Sequence, residues 1–531
     1  MKQIKEIKFE ELSTDQKLGM STIAFCWDDV YCDVDYVEQL IKNHSLGGVW
    51  ITPRDGANKH IMKRLKEAAD YPLLFFTDAE NGWGEYKIGR QNAVGMTGSE
   101  DAAYVFGKLT ALGARRDGYN VVCNPVLDMV NGRSLCGGNI RSLGGDKEKV
   151  AALAAAEARA MHDAGVLTVA KHYPGSSVSG NTIDSHMAET TAPETEEQLL
   201  DYNLYPYLEL IKEGLIDGVM LKHSRFPSVD PDYPVSLSSK FMHLIRDRGF
   251  DGFAMTDALN MMGVVAKFGR KNSVGLAVGN AGALSLPFCD KTERVMGWLR
   301  ECYAEGMIPD DTLDALVKDV LAAQHKVAVM EPKFTEITEE DKKLFECINK
   351  DSVFAKCDDG VPVALDREAE HFFAILTETE LGAAENDKVL VDTMKTAWYN
   401  PFKIAERLKE LFPNSKSTFI SEYPTPNRVS KFLSESLDHG DVVFITFLNS
   451  ACYAGKECLT PRIVSMVEAM QVSERISTLV HFGNPYVAED FPHTSRVIIG
   501  TASSMGVDAG LDVLAGEYPA NGVLTYDVKL K

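Results

Sequence analysis

Residues 166–173, VLTVAKHY, form an apolar run that ends in a lysine, a histidine and a tyrosine. The run follows an alanine-rich helical stretch, Val150–Asp163, and Gly165 just beyond that stretch is typical of a helix C-terminus. A nearly continuous apolar run is typical of a strand that is covered on both faces, as in a parallel α/β sheet. The helix and the strand together predict one unit of a repeating strand–helix fold.

Similar apolar runs recur on both sides of this stretch, with longer helical segments between them. They are MSTIAF at 20–25, GGVWITP at 47–53, PLLFFTD at 72–78, YNVVCNPVLD at 119–128, IDGVMLKH at 216–223, FDGFAMTD at 250–257 and ALSLP at 283–287. One helical segment, Thr195–Gly214, is amphipathic, and Pro206 is expected to kink it. Seven or eight such units over roughly 300 residues predict a (β/α)8 TIM-like barrel.

A polar seam, VMEPKFTEITEE at 329–340, separates these units from a second α/β region. Candidate strands of that region are 388–391, 417–420, 441–447, 477–482 and 496–499. Their pattern predicts a smaller α/β sandwich. Because 531 residues exceed what one core usually serves, we predict two domains, a catalytic barrel over 1–332 and the sandwich over 333–531.

The composition is that of an ordinary globular protein, with 45% apolar and 25% charged residues. The net charge of −22 argues against nucleic acid and anionic membranes as partners. No apolar run approaches the ~20 residues of a membrane-spanning helix, and the charged stretch Met1–Glu11 lacks the apolar core of a secretory signal. We therefore expect a cytoplasmic protein with a small-molecule substrate, and the sequence is compatible with a homodimer.

The ten cysteines are scattered and form no C-x-x-C pair, which predicts reduced thiols in the core. The sequence also lacks an H-E-x-x-H motif, a phosphate-binding P-loop and a G-x-G-x-x-G fingerprint. The sequence therefore predicts neither a metal nor another cofactor.

Polar side chains stand where the apolar runs end. They are Asp78 and Glu80, Asp128, Lys171 and His172, Lys222 and His223, and Asp257. In a (β/α) barrel the carboxyl ends of the strands converge on the active site. Each residue also has a structural interpretation, since an aspartate at a strand end often caps the next helix, and Asp128 and Glu80 are as readily partners of neighbouring loops. Taken together, the residues predict one polar site.

Asp184-Ser185-His186 lies in a polar segment that follows Lys171 and His172. If this segment is extended, residues two apart face the same way, and Asp184 can orient the His186 ring. A carboxylate in that position raises the basicity of an imidazole and prepares it for general acid–base catalysis.

The stretch 171–186, KHYPGSSVSGNTIDSH, resembles the K-H-F-P-G…D-S-H loop of glycoside hydrolase family 3, in its two-domain β-N-acetylglucosaminidase branch. The resemblance implies that His186 is the general acid/base and Asp184 its partner. The stretch 249–264, GFDGFAMTDALNMMGV, is similar to the family element that carries the catalytic nucleophile. This similarity implies that Asp257 is the nucleophile.

Further motifs agree in their order along the chain. They are LGGVWITPR at 46–54, FTDAENG at 76–82, NPVLD at 124–128, IRSLG at 140–144 and, more loosely, HFGNPY at 481–486. The resemblance implies that Asp78, Arg141, Lys171 and His172 contact the sugar. Lys222 and His223, which end the next apolar run, are further candidates for substrate binding.

Together these residues predict a retaining, exo-acting β-glycoside hydrolase that works by double displacement, with a β-N-acetylhexosaminidase as the leading candidate. The chain departs from the family pattern at Ser176-Ser177, at residues 83–86 and at Leu284, and these departures leave the sugar open. A β-glucosidase, a β-xylosidase, a glycoside phosphorylase and a weakened sugar-binding homologue are alternatives within the family. A Schiff-base aldolase that uses Lys171 or Lys222 is an alternative from another class.

Overall fold

The structure is a computed structural model that describes residues 5–26, 32–52, 58–130, 132–133, 138–176, 183–378, 398–439, 441–448, 452, 458–473 and 476–530. These residues form two compact units. The first unit contains the described residues within Met1–Lys87, Ala103–Met129 and Asp146–Lys342. The second contains those within Ile88–Ala102, Val130–Gly145 and Lys343–Lys531, so two segments from the first third of the chain belong to it.

The first unit is built on a parallel sheet of short strands. Its strands are β1 (Ile23–Cys26), β2 (Gly48–Ile51), β3 (Leu74–Thr77), β4 (Gly82–Trp83), β5 (Tyr86–Lys87), β6 (Val121–Val122), β7 (Leu167–Tyr173), β8 (Gly218–Leu221) and β9 (Phe253–Thr256). Seven of them pair in the order β1-β2-β3-β6-β7-β8-β9, and β4 and β5 form a separate antiparallel hairpin. Strand β6 is much shorter than the predicted run 119–128, and Pro125 in that run has no N–H for sheet pairing.

Residues 284–285 bridge both edges of this sheet. Leu284 forms a parallel bridge with Met255 of β9, and Ser285 forms one with Thr22, which directly precedes β1. The sheet therefore curls until its two edge strands meet the same segment. The predicted strand at 283–287 is present only as these single bridges.

Every residue of the six longer strands of the curled sheet is buried, as predicted for strands that are covered on both faces. Phe76 of β3 and Phe253 of β9 meet edge to face inside the curl, with ring centroids 6.0 Å apart. An apolar interior thus supports the polar side chains at the strand ends.

Helices separate the strands along the chain. Up to residue 342 the α-helices are Thr14–Met20, Val34–Lys42, Lys59–Ala68, Asn92–Thr97, Glu100–Arg116, Gly138–Arg141, Lys147–Asp163, Glu196–Gln198, Tyr205–Lys212, Ser239–Arg246, Met262–Gly279, Thr292–Ala304 and Asp310–Val329, with 3-10 turns at Phe9–Glu11 and Val235–Leu237. The predicted helix 195–214 is divided by a π-helical turn at Leu199–Asn203. Pro206 stands in the first turn of Tyr205–Lys212, where a missing N–H costs no helical hydrogen bond.

The second unit has its own sheet. Its strands are β10 (Phe354–Cys357), β11 (Phe372–Thr377), β12 (Lys416–Ser421), β13 (Val442–Leu448), β14 (Ile476–Gly483) and β15 (Arg496–Gly500). They pair in the order β10-β15-β14-β13-β11-β12, and only the pairing of β10 is antiparallel. Four predicted strands are confirmed, whereas the prediction omitted β10 and β11, and the predicted strand 388–391 lies outside the described residues.

The remaining helices complete this unit. They are Glu339–Asp351, Pro401–Leu411, Pro426–Leu437, Pro461–Val472 and Ser504–Leu514, with a 3-10 turn at Pro485–Asp490. Three of them begin with proline, whose fixed φ suits the first helical position. No helix among the described residues of the chain is both long and apolar enough to span a membrane. The cytoplasmic location and the homodimer stay predictions.

Candidate active site

Polar side chains of the first unit follow the carboxyl ends of neighbouring parallel strands. Asp78 follows β3, Lys171 and His172 lie at the end of β7, Lys222 and His223 follow β8, and Asp257 follows β9. Because the strands are parallel, these ends lie at one edge of the sheet, where such folds bind their ligands. The structure therefore brings these six predicted residues to the same edge.

Asp257 is ionised and partly exposed. The backbone N–H of Ala258 donates a hydrogen bond to its Oδ1 at 2.7 Å. Burial opposes ionisation, but the imidazoles of His172, His223 and His186 and the Ala258 N–H outweigh it and lower the pKa of Asp257 to about 2. Asp257 forms no ion pair with any residue that the structure describes. The group thus has the charge and the access that a nucleophile needs.

Asp184 and His186 form a hydrogen-bonded pair in a single helical turn. Oδ1 of Asp184 accepts hydrogen bonds from ring Nδ1 of His186 at 2.7 Å and from its backbone N–H at 2.9 Å. The Asp184 carbonyl accepts from the N–H groups of Met187 and Ala188, so Asp184 also caps the turn. The predicted pair is present, although in a capped turn rather than in an extended segment. With Nδ1 bound to Asp184, Nε2 is the ring nitrogen suited to proton transfer.

This turn is attached to the start of helix Met262–Gly279, which begins five residues after Asp257. The N–H of Met262 donates to the carbonyl of His186 at 3.2 Å, and that of Gly263 donates to the carbonyl of Ser185 at 3.0 Å. A Cβ at position 263 would lie 2.7 Å from the Ser185 carbonyl oxygen, so glycine permits this approach. One short stretch of chain therefore positions both Asp257 and His186.

Lys171 is 1% exposed and joins two carboxylates. Its Nζ lies 2.5 Å from Oδ1 of Asp78 and 2.6 Å from Oε1 of Glu80. The Asp78 side chain is 53% exposed, whereas that of Glu80 is 12% exposed. The buried Lys171 therefore holds the Asp78 carboxylate in place, while the exposed part of that side chain stays accessible to a ligand. Glu80 lies two residues after Asp78, and that spacing is the sequence signal that it shares the lysine.

Asp128 is buried and contacts polar residues that lie at or just after the ends of β7 and β8. It binds His172 through ring Nδ1 at 2.5 Å and through its N–H at 3.2 Å, Ser176 Oγ at 2.9 Å and Lys222 Nζ at 3.5 Å. Burial opposes its ionisation, but the charges of Lys222 and His172 hold the pKa of Asp128 well below its ordinary range. These contacts support the structural interpretation of Asp128.

Asp128→Asn should therefore destabilise the protein. The amide cannot neutralise Lys222, and an uncompensated buried charge costs about 3 kcal/mol, which corresponds to a fall in Tm on the order of 3–5 °C. Calorimetric melting of the variant and the parent measures this. Asp35→Asn is the matched control, because Asp35 is 79% exposed in its pair with Arg64 and should change the free energy of unfolding by less than about 1 kcal/mol. Equal effects of the two substitutions would contradict the role of Asp128.

His223 is fully buried, and both of its ring nitrogens have protein partners. Nε2 lies 3.0 Å from the carbonyl oxygen of Ala258, and Nδ1 lies 2.8 Å from Oγ of Ser236. Burial lowers the pKa of His223, whereas the nearby Asp257 carboxylate raises it. The Ala258 carbonyl can only accept, so Nε2 donates to it. His223 thereby holds the residue whose N–H binds Asp257. No sequence motif marked Ser236, and the contact of His223 with sugar stays a prediction.

Arg141 lies at the end of helix Gly138–Arg141, which belongs to the second unit. Its Nη1 donates a hydrogen bond to Sγ of Cys452 at 3.9 Å. Its predicted contact with substrate stays a prediction.

The described residues contain no group of three or more His, Cys, Asp or Glu side chains placed to hold a metal ion.

Cys123 lies near Asp78, Lys171 and Asp257, and burial raises the pKa of its thiol well above the usual value. A buried, protonated thiol is a poor nucleophile, so Cys123 is a core residue as predicted.

Comparison with known proteins relates this site to a family. Residues 14–323 match the family profile described as the glycosyl hydrolase family 3 N terminal domain. A beta-N-acetylglucosaminidase/beta-glucosidase of Cellulomonas fimi is 28% identical over 335 residues, which are 59% of this chain and 57% of that protein. A beta-hexosaminidase of Tolumonas auensis is 30% identical over 274 residues, which are 49% of this chain and 80% of that protein.

A solved structure is similar over nearly the whole chain. It is a glycoside hydrolase family 3 beta-N-acetylglucosaminidase from Paenibacillus sp. str. FPU-7, with a TM-score of 0.75 and 24% identity, and the match covers 98% of this chain and 100% of that chain. This similarity shows that the two chains share a fold. The chain spans little more than half the length of the Cellulomonas relative.

Proposed function

Because the chain belongs to glycosyl hydrolase family 3, we propose that it is a retaining, exo-acting β-glycoside hydrolase and specifically a β-N-acetylhexosaminidase. The observation that carries this proposal is the attachment of the Asp184–His186 turn to the helix that follows Asp257, so that one stretch of chain bears both a carboxylate and a carboxylate-bound imidazole. A carboxylate nucleophile and a separate proton donor are the two groups that retaining hydrolysis requires. The relatives named beta-hexosaminidase support the class of sugar.

In the first step, the carboxylate of Asp257 attacks the anomeric carbon through an oxocarbenium-like transition state. The Ala258 N–H holds Oδ1. Oδ2 then forms the bond to the sugar. As the glycosidic bond breaks, Nε2–H of His186 gives its proton to the leaving oxygen. The products are an alcohol, a glycosyl ester of Asp257 and a neutral imidazole.

In the second step, the neutral Nε2 of His186 takes a proton from water, and the water oxygen attacks the anomeric carbon. The ester bond breaks, the Asp257 carboxylate returns, and the sugar keeps its configuration after two inversions. The Asp184 carboxylate stabilises the imidazolium that is present before the first step and forms again in the second. It also holds the ring in one orientation.

Asp78, Lys171, His172 and Lys222 would bind the sugar hydroxyls. The exposed Asp78 carboxylate, fixed by the buried Lys171 ammonium, supports this role because its position is set before the sugar arrives. Lys171 forms ion pairs with Asp78 and Glu80, and Lys222 forms one with Asp128. A Schiff-base lysine must lose its proton, so this arrangement speaks against the aldolase alternative.

The bridges at 284–285 support the predicted (β/α)8 barrel. We propose that this segment is the eighth position of a (β/α)8 barrel, since it lies between β9 and the residue before β1. Such closure would place the end of β9, and with it Asp257, on the rim of a ring of strands.

Nitrophenyl β-glycosides of N-acetylglucosamine, glucose, xylose and galactose test the proposed function. We expect kcat/KM for the N-acetylglucosaminide to exceed the others by at least about tenfold, a discrimination of the size that one pocket contact provides. Proton NMR during turnover should show the β-anomer of the free sugar first. An α-anomer would contradict retention, and failure to cleave any of the four would contradict the hydrolase. Release of a sugar phosphate when phosphate is added would favour the phosphorylase alternative.

A further inference from the structure

We propose that the leaving-group side of the site is an apolar surface made by Ile183, Met187 and Met262, and that the enzyme prefers β-glycosides whose aglycone is an alkyl or aryl group. We name these three side chains the apolar rim. The inference rests on the proposed function, because it requires His186 to protonate the leaving oxygen.

The three side chains are exposed although they are large and apolar. Ile183 is 48% exposed, Met187 is 58% exposed and Met262 is 46% exposed. Single exposed apolar side chains are common on protein surfaces, whereas neighbouring ones mark sites of contact with a ligand or a partner. Here all three belong to the stretches of backbone that surround the Asp184–His186 pair.

Their neighbourhood is set by the turn that carries His186. Ile183 directly precedes Asp184, and Met187 directly follows His186. Asp184 caps the turn, so Ile183 stands directly before it and Met187 lies within it. The N–H of Met262 donates to the carbonyl of His186 at 3.2 Å, so Met262 also borders the turn. Each residue of the apolar rim is therefore within three residues of His186 along the chain or hydrogen-bonded to its backbone.

The chemistry of the reaction determines which part of the substrate meets this surface. His186 delivers its proton to the leaving oxygen, so the aglycone must lie beside His186. The sugar ring must lie against Asp257, close to the polar groups Asp78 and Lys171. The apolar rim is thus on the aglycone side.

An apolar aglycone suits this surface better than a second sugar does. Each buried methylene gains about 0.8 kcal/mol, and methionine adapts its shape to alkyl chains and contacts aromatic rings favourably. The hydroxyls of a second sugar would lose water without gaining hydrogen bonds from Ile183, Met187 or Met262. The geometry therefore favours an amphiphilic glycoside with a polar sugar and an apolar tail.

Octyl and methyl β-glycosides of N-acetylglucosamine and glucose test this inference, with the octyl compounds kept below their micellar concentration. The two leaving alcohols have similar acidity, so the ratio of their kcat/KM values reports apolar contact and not proton transfer. We expect a ratio of at least about tenfold in favour of octyl, because only a few of its methylenes need to be covered. The double substitution Met187→Ser and Met262→Ser should lower this ratio about fivefold.

Met505→Ser is the matched control, because Met505 is also 46% exposed but lies in the second unit. Its octyl-to-methyl ratio should equal that of the parent. A parent ratio near one, or a ratio that the double variant leaves unchanged, would overturn the role of the apolar rim alone. An equal loss on both substrates would also overturn it, since that result means a disturbed His186. Failure of the parent to cleave any nitrophenyl or alkyl glycoside would overturn the proposed function and this inference with it.

Discussion

Asp257→Ala should lower kcat for an aryl β-glycoside by at least about 10⁴-fold while leaving Tm nearly unchanged. Nucleophiles of this kind carry the covalent step, and removing one leaves only the contribution of substrate binding and positioning. The stability should hold because Asp257 forms no ion pair with a described residue. Steady-state rates and calorimetric melting of the same preparations measure both effects.

Added azide separates loss of the nucleophile from general damage. In Asp257→Ala, azide can attack an activated glycoside from the side that the carboxylate occupied, and the product should be the α-glycosyl azide. Asp251→Ala is the matched control, because Asp251 is exposed and lies just before the same strand, β9, at its opposite end. We expect the Asp251→Ala variant to cleave the aryl glycoside at the parental rate. Turnover by Asp257→Ala within tenfold of the parent would reject the nucleophile assignment.

His186→Ala should impair substrates according to their leaving group. A phenyl glycoside needs protonation of its oxygen, so its kcat/KM should fall by about 10²–10⁴-fold, the usual contribution of a general acid. A dinitrophenyl glycoside departs as a stable anion, and its kcat/KM should fall by less than about tenfold. Initial rates with the two substrates at low concentration give this comparison directly.

The second step of His186→Ala supplies a further test. Because the base for water is missing, the glycosyl-enzyme should accumulate, and azide should release it as the β-glycosyl azide. His325→Ala is the matched control, since His325 is 59% exposed and pairs with Glu6. It should behave as the parent with both substrates. Equal losses on the phenyl and dinitrophenyl glycosides, or an α-glycosyl azide, would exclude the acid/base role.

Local sequence patterns were sufficient for the seven strands of the curled sheet and for the position of the polar side chains at one edge of it. Apolar runs such as 166–173 and 250–257 coincide with β7 and β9, because a strand that is buried on both faces has to be apolar throughout. The residues that end those runs lie at one edge because parallel strands share their direction. The pairing of Asp184 with His186 was also predictable, since both residues lie within one turn of chain.

Local sequence patterns could not predict contacts between distant parts of the chain. Lys171 binds Asp78 across 93 residues, Asp128 binds Lys222 across 94, and His223 is buried against Ser236 and Ala258. The described residues within 88–102 and 130–145 belong to the second unit although they precede most of the first. Local propensity depends only on neighbouring residues, so it predicts helices, strands and turns but not which distant side chains meet. The choice of partner for a buried charge depends on which side chains the folded sheet brings within hydrogen-bonding distance, and only the tertiary structure fixes that.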